Sequence, residues 1–479
     1  MKTDAALEAF PLFIGGQFIE TKERETVRLP YDGSAAGSVP IADEATTARA
    51  IDAAREGARA MANLTPYERA ELLDRIREEI RKNAAEFSRL VCAETGKPIR
   101  EARVEVDRSQ QTLLAAAHEA RQIHGEVVPM EFSATGKGRM AVTVREPLGV
   151  IAAITPFNVP LNLALHKAAP ALAAGNAVIH KPAERTPLSA ARLAKAIADA
   201  GAPAGAYNFI HGSGPKLGSM LLESPGVDML TFTGSARVGR DLRSRAGLKR
   251  ITLELGNNSA VIVEPDGDLP TAVTRTVQGA FSHSGQVCIS VQRAFIHRSL
   301  FTEYVDRLKA ATEQLKIAHP FDEASDISSL IDEAAAKRVE EWIAEAVAKG
   351  AKPVTGGPRR FATIPPTILT DVPASCRISC EEVFGPVVAV YPYDDLDWAI
   401  AQVNDTPYGL QAGIFTSDLQ RAFGAARKLR FGGVMINDVP MYRADHMPYG
   451  GVKESGLGRE GPRYAIEEMT EMKLICWKV

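Results

Sequence analysis

Ala177-Val-Ile-His-Lys-Pro-Ala-Glu184, a helical run from Thr186-Pro187 through Ala190–Ala200, the break Gly201-Ala-Pro-Ala-Gly205 and Tyr207-Asn-Phe-Ile210 follow one another directly. The two apolar runs, Ala177–His180 and Tyr207–Ile210, have strand length. Thr186-Pro187 opens the alanine-rich segment between them as a helix, and the glycines with Pro203 close it. Strand, helix, strand is the unit of a parallel sheet, because parallel neighbours need a crossover to return the chain to the same end. The rhythm extends outward on both sides. Val150–Thr155 precedes this unit, and Met229–Phe232 and Ala260–Val263 follow it.

A second set of candidate strands lies further on, at Arg293–His297, Val387–Tyr391, Ala412–Phe415 and Gly433–Ile436. Candidate helices at Phe301–Leu315 and Glu333–Lys349 separate some of them. The fold class expected is α/β, with two parallel-sheet halves meeting near residues 253–260. Upstream, Thr65–Ala93 has an apolar face at helical spacing, and Thr65, Pro66 and Glu68 form a capping-box start. Glu126–Val144 has strand character around a Ser-Ala-Thr-Gly-Lys-Gly turn, and Lys473–Val479 is a terminal strand candidate. Unpaired strand edges are adhesive, so these two segments are expected to form a small β arm for self-association or to pack on their own chain. The ranges that follow are 1–125 and 146–253 for one domain, 254–460 for the second, and 126–145 with 461–479 for the arm and tail.

At 479 residues the chain is long enough for two or three cores. It is 45% hydrophobic and 24% charged, the balance of a globular protein. A net charge of −3 without a basic run argues against nucleic acid as a partner. Pro147–Leu165 is free of charges for about a bilayer span, but its prolines and asparagines oppose a membrane helix, and it reads as a buried strand leading into a loop. The N-terminus, Met1-Lys-Thr-Asp-Ala-Ala-Leu-Glu8, has no signal core. Five scattered cysteines suit a reducing cytoplasm and give no metal-ligand spacing, so no metal is expected.

Cys288 in Gly285-Gln-Val-Cys288 and Glu254 in Leu253-Glu-Leu-Gly256 supply a thiol and a carboxylate, each beside a glycine turn. A thiolate adds to an electron-poor carbon, and a carboxylate activates the water that later releases the acyl group. In Ile154-Thr-Pro-Phe-Asn-Val-Pro160 the Asn158 amide sits between prolines, which suits a preorganised donor to an oxyanion as well as a simple turn. Gly212-Ser-Gly-Pro-Lys-Leu-Gly218 and Phe232-Thr-Gly-Ser235 each follow a strand and offer backbone donors to a pyrophosphate at a helix start. Lys181 and Glu184 end another strand, where a ribose diol would be gripped, or where an ion pair would sit.

Together these segments resemble the NAD(P)-dependent aldehyde dehydrogenase superfamily along nearly the whole chain. The resemblance implies a Rossmann-like cofactor domain at 1–125 and 146–253, a catalytic domain at 254–460 and an oligomerisation arm. It places the nucleophile on Cys288, the general base on Glu254 and the oxyanion donor on Asn158. Cofactor contacts fall on Thr155, Pro156, Lys181, Ala183, Glu184, Gly214, Gly218, Phe232, Thr233, Gly234, Ser235, Leu255, Gly256, Glu382 and Phe384. NAD is expected as the preferred cofactor, because Glu184 would repel a 2′-phosphate, with NADP possible. A helix N-terminus and the nicotinamide charge are expected to favour the Cys288 thiolate. Glu254 implies hydrolysis of the thioester, hence an acid product.

The sequence departs from the family pattern beside Glu254, where Asn257-Asn258 replaces the usual second glycine and is expected to take a left-handed turn. Val287 and Ile289 flank the nucleophile. With Arg108, His166, Arg443 and His446 they are the candidate substrate contacts, and His166 reads equally as a structural histidine. The substrate expected is a small-molecule aldehyde, with small hydroxyaldehydes and semialdehydes among the candidates. Self-association as a homodimer or homotetramer is implied, and membrane association is not. The alternative is a non-catalytic, crystallin-like binding or structural protein on the same fold.

Overall fold

The computed structural model describes residues 8–479, so the reading of the first seven residues lies outside the described residues. An eight-stranded sheet runs in the order Gly456–Leu457, Arg250–Glu254, Met229–Thr233, Val150–Ile154, Ala177–Lys181, Tyr207–Phe209, Leu12–Ile14 and Gln17–Ile19. The five strands from Arg250–Glu254 to Tyr207–Phe209 are parallel, and the outer ones are antiparallel. A second sheet of seven strands runs Lys352–Pro353, Thr367–Thr370, Val387–Tyr393, Arg293–His297, Ala260–Val263, Gln411–Phe415 and Gly433–Ile436. It is parallel except at Lys352–Pro353. The expected fold class, two parallel-sheet α/β halves with a small β arm, is the observed one.

The five expected strands between residues 149 and 263 form within a residue of their expected ends, because strands buried on both faces read as continuous apolar runs. Arg250–Glu254 escapes that signal: Arg-Ile-Thr-Leu-Glu alternates polar with apolar. Other details also differ from the sequence reading. The helix expected over Thr65–Ala93 is two, Pro66–Lys82 and Ala84–Thr95, broken at Asn83, although the Thr65/Glu68 capping box is present as expected. The charge-free run Pro147–Leu165 holds the expected buried strand, Val150–Ile154, leading into a loop at 155–159, but its last residues open a helix, Pro160–Ala174. Among the described residues no helix is long and apolar enough to cross a membrane.

The arm is a three-stranded sheet in which Arg139–Pro147 pairs with Thr470–Lys478 on one side and Val127–Val128 on the other. Helix Pro462–Glu468 falls within the range assigned to the tail, yet it packs on Pro160–Ala174, and Ile466 joins the core of the first sheet. Gly456–Leu457 likewise returns to the first sheet from the range assigned to the second domain. Both follow from one cause: the segment after Tyr449 passes back along the edge of the strand that ends at Glu254.

Helix Glu44–Ala62 lies against the chain leading into Tyr207–Phe209, and a Cβ at Gly57 would fall 2.1 Å from the Gly205 carbonyl carbon. The Gly205 backbone cannot retreat without moving strand Tyr207–Phe209, the neighbour of the strand that carries Lys181. The Gly57→Ala variant is therefore expected to lose about 1–3 kcal/mol of stability. Urea unfolding would register this as a lower midpoint, and an unchanged midpoint would refute the close seating.

Candidate active site

Cys288 is set by an unusual stretch of backbone. His283, Ser284 and Gly285 are consecutive left-handed residues, with φ of 48°, 53° and 72°. At Gly285 a Cβ would lie 2.1 Å from the Gly385 carbonyl oxygen, so only glycine allows the loop to press against its neighbour. The next residue is held at both ends. Gln286 Oε1 accepts from the Ile331 N–H at 2.9 Å, and its carbonyl accepts from Asn158 Nδ2 at 2.8 Å. Cys288 then sits in a turn closed by the Ser290 N–H on the Val287 carbonyl.

No helix begins at Cys288, which corrects the expectation of a helix N-terminus behind the thiol. Its Sγ lies 2.9 Å from the Tyr449 hydroxyl. Burial pushes the thiol up to about 12, opposed by that hydroxyl and by Arg443 and reinforced by the Glu382 and Glu254 carboxylates. Val287 is half-buried and Ile289 buried, against Leu410 and Tyr449.

Asn158 is pinned from behind. Lys97 Nζ donates to the Asn158 carbonyl at 2.7 Å and pairs with Glu105 Oε2 at 2.5 Å. The other Glu105 oxygen accepts from the Leu161 and Asn162 N–H groups, at 2.8 and 3.3 Å. These are first-turn donors of helix Pro160–Ala174, which has no side-chain cap of its own. One buried ion pair thus fixes both the asparagine and the helix that follows it.

Glu254 is the last residue of its strand, and it pairs with Gly456 while Leu253 pairs with Leu457. Its Oε2 is buried without a hydrogen-bond partner. Burial and then the neighbouring Glu460 raise this carboxyl well above the usual range, against Lys167, Arg443 and Arg459. Glu460 moves the opposite way. Burial works against its charge, but Lys167 Nζ at 2.8 Å and Arg443 Nη2 at 2.9 Å hold it below the usual range. The difference is one of partners: Glu460 has two cations in contact, and the Glu254 Oε2 has none.

Neither Asn257 nor Asn258 takes the expected left-handed turn. Their amides tie elements together instead. Asn257 Oδ1 accepts from the Leu410 N–H, and Asn258 Nδ2 donates to the Ser379 and Glu381 carbonyls. Glu382 Oε1 accepts from the Asn257 N–H at 3.0 Å, and a Cβ at Gly256 would meet Glu382 Oε2 at 2.3 Å. Burial raises the Glu382 carboxyl to about 7, opposed by that N–H and by Arg338.

A cavity of about 910 Å³ opens from Cys288 and Asn158 across the carboxyl ends of the first sheet's strands. Thr155, Pro156, Lys181, Ala183, Gly214, Gly218, Phe232, Thr233, Gly234, Ser235, Leu255, Gly256, Glu382 and Phe384 line it, all residues singled out in the sequence. Phe384 meets Phe157 edge-to-face, with ring centres 5.7 Å apart. Glu184 is not on the wall, but its carboxylate accepts from the Gly214 N–H at the start of helix Gly214–Glu223. A Cβ at Gly214 would lie 3.4 Å from Glu184 Oε1 and 3.6 Å from Lys181 Nζ, so the bare glycine keeps this corner open. Burial lowers Lys181 to about 8, opposed by Glu184 and Glu25. The Thr233 hydroxyl is buried without a partner. An unpartnered hydroxyl and a buried amine as donors, with an acid as acceptor, all at strand ends, are a set of groups that fits a dinucleotide.

The candidate substrate residues are not gathered on this cavity. Arg108 makes a bidentate pair with Asp445, at 2.7 and 3.1 Å. His166 is buried and bonds the same carboxylate at 3.0 Å, and burial, then Arg443, lowers its pKa against the pull of Asp445. Arg443 pairs with Glu460, with its guanidinium carbon 3.7 Å from the Tyr449 ring centre. His446 is exposed.

The sequence reading missed Lys97, Glu105, Lys167, Glu460 and Tyr449 as members of the site. Tyr449 and Glu460 lie in the segment Pro448-Tyr-Gly-Gly-Val-Lys-Glu-Ser-Gly-Leu-Gly-Arg-Glu460, which the family resemblance sets below the substrate entrance without giving either residue a role, whereas Lys97 and Glu105 carry no motif. Removing Lys97 leaves Glu105 buried without a counter-charge, so Lys97→Met is expected to cost about 3–5 kcal/mol. The pair variant Lys97→Met/Glu105→Gln should regain some of that loss. Equal thermal midpoints for Lys97→Met and the parent would contradict the clamp.

The profile of the aldehyde dehydrogenase family matches residues 18–475. Among curated proteins, 3-sulfolactaldehyde dehydrogenase of Priestia aryabhattai is 48% identical over 470 residues, covering 98% of each chain. Among solved structures, aldehyde dehydrogenase 21 from Physcomitrella patens, in complex with the reaction product succinate, superposes with a TM-score of 0.96 at 39% identity over 98% of each chain. The NADP-dependent glyceraldehyde-3-phosphate dehydrogenase from Bacillus halodurans C-125, complexed with NADP, gives 0.96 at 36% identity, covering 98% of this chain and 99% of that one. The chain belongs to the aldehyde dehydrogenase family of NAD(P)-dependent enzymes.

Proposed function

We propose that the enzyme oxidises a small hydroxylated or acidic aldehyde to the carboxylic acid through a thioester on Cys288. One juxtaposition carries this reading: Cys288 and Asn158 line the same cavity as Lys181 and Gly214. In this reading Lys181 and Glu184 hold a ribose, and Glu382 and Phe384 border the nicotinamide. The bound nicotinamide supplies the acceptor for one hydride. Cys288 Sγ adds to the aldehyde carbon, and the new oxyanion accepts from the Asn158 amide. Once the carbon is oxidised, Cys288 carries the acyl group. Glu254 then takes a proton from the water that attacks the thioester, and the acid departs with the thiol restored.

The substrate class draws support from the sulfolactaldehyde and succinate named for two relatives. Preference for NAD follows from the Glu184 carboxylate beside the Gly214 N–H, where a 2′-phosphate would meet like charge. The exposed apolar side chains of the arm, among them Met472, Leu474, Ile475 and Trp477, support self-association as a homodimer or homotetramer. Five free cysteines support a reducing, cytoplasmic setting.

Cys288→Ala is expected to lower NADH formation at least about a thousandfold. Glu254→Gln should give one burst of NADH per site followed by a stalled acyl-enzyme, and steady turnover there would sink the hydrolytic role. Because burial raises the Glu254 carboxyl, deacylation in the parent should accelerate as pH rises through that pKa, and Glu254→Gln should abolish the dependence. A panel of hydroxyaldehydes, semialdehydes and unsubstituted aldehydes, ranked by kcat/KM with NAD and with NADP, tests the substrate and cofactor readings. Unsubstituted aldehydes ranking first would overturn the substrate class, and NADP equal to NAD would overturn the preference.

A further inference from the structure

The Cys288 turn has no helix dipole behind it, so charge on the sulfur needs another source of support. The structure places one there. The Tyr449 hydroxyl lies 2.9 Å from Cys288 Sγ. Tyr449 is only 2% exposed. Its backbone is paired in both directions with Glu460, at 3.1 and 2.7 Å. Its ring is covered by the Arg443 guanidinium at 3.7 Å. A cation on the ring face draws on its electron density and makes the phenol a better hydrogen donor.

We propose that Tyr449 is a catalytic residue whose hydroxyl donates to the Cys288 sulfur and stabilises the thiolate before attack. This rests on Cys288 being the nucleophile. The other ionisable groups facing the thiol are Arg443, which favours its charge, and Glu382 and Glu254, which oppose it. Burial, then the thiol itself, holds the Tyr449 phenol well above its ordinary pKa, so the tyrosine keeps its proton at neutral pH and is the donor. The thiol proton leaves to solvent. The sulfur lone pair then forms the S–C bond, and the carbonyl π pair moves to oxygen. Tyr449 keeps its own proton throughout, and its bond to sulfur weakens as the sulfur charge is spent.

The test is alkylation of the full-length protein by iodoacetamide across pH, read at the Cys288 peptide by mass spectrometry so that other thiols do not contribute. Tyr449→Phe is expected to move the midpoint of the profile to higher pH and to slow alkylation at pH 7 by about tenfold or more, since a bond to a charged group is lost. The high-pH plateau should stay level or rise, because a more basic thiolate is the stronger nucleophile. An unmoved midpoint, or a rate lowered equally at all pH, overturns the proposal. If Tyr449→Phe does not fold, 3-fluorotyrosine at 449 serves: a more acidic phenol should move the midpoint down, and no movement overturns the proposal. Full NADH formation in Cys288→Ala would instead sink the nucleophile reading. An inactive Cys288→Ala with an unshifted Tyr449→Phe profile removes the tyrosine's role alone.

Discussion

The antiparallel pairing of Leu253 and Glu254 with Gly456 and Leu457 is the contact on which the site depends. It is short, but it closes the edge of the first sheet at the residue that carries the unpartnered carboxylate. From that seam the chain reaches Tyr449 in one direction and Glu460 in the other, and these two residues pair with each other through their backbones. The strap therefore brings a phenol to the thiol and a second carboxylate to Glu254. Ser455 locks it further, accepting from Leu255 through its carbonyl and donating from its hydroxyl to the Gly256 carbonyl.

Charge in this interior is arranged by count as well as by position. Glu460 takes two cations, Lys167 and Arg443, while the adjacent Glu254 has a carboxylate oxygen left without a partner. Two carboxylates that share one neighbourhood cannot both ionise at low cost, so the partnered one holds the negative charge and the other is pushed toward its neutral form. Asp445 acts in a similar way nearby, neutralising Arg108 while accepting from His166 and Asn162. Arg108, His166 and Arg443 are thus tied to carboxylates that no sequence pattern places beside them.

How far the fold could be read from sequence depended on how each strand is buried. Val150–Ile154 and Ala177–Lys181 are buried at every position and stand out as apolar runs. Arg250–Glu254 begins half-buried with a charge and ends with one, so its strand character came only from its neighbours on both sides. The break at Asn83 was hidden because the apolar periodicity continues through it into the next helix. At the site, residues on one short motif were legible because spacing carries them. The residues that hold those motifs in place were not: Lys97 reaches Asn158 across 61 positions, and Cys288 reaches Tyr449 across 161. No local pattern encodes such contacts, and their chemistry exists only after folding.

The C-terminal strap also sets the order in which the protein becomes an enzyme. During synthesis the thiol at Cys288 emerges long before Tyr449, which follows it by 161 positions, and before Gly456 and Glu460 beyond that. Domains form as units from the N-terminus onward, so both parallel sheets have most of their strands before the strap arrives. Until then the thiol lacks its phenol, and Glu254 sits at an open sheet edge. A nascent chain that has not yet made this segment would therefore carry a solvated Cys288 thiol, free of the burial that raises it, and the site is complete only once Gly456 and Leu457 pair with Glu254 and Leu253.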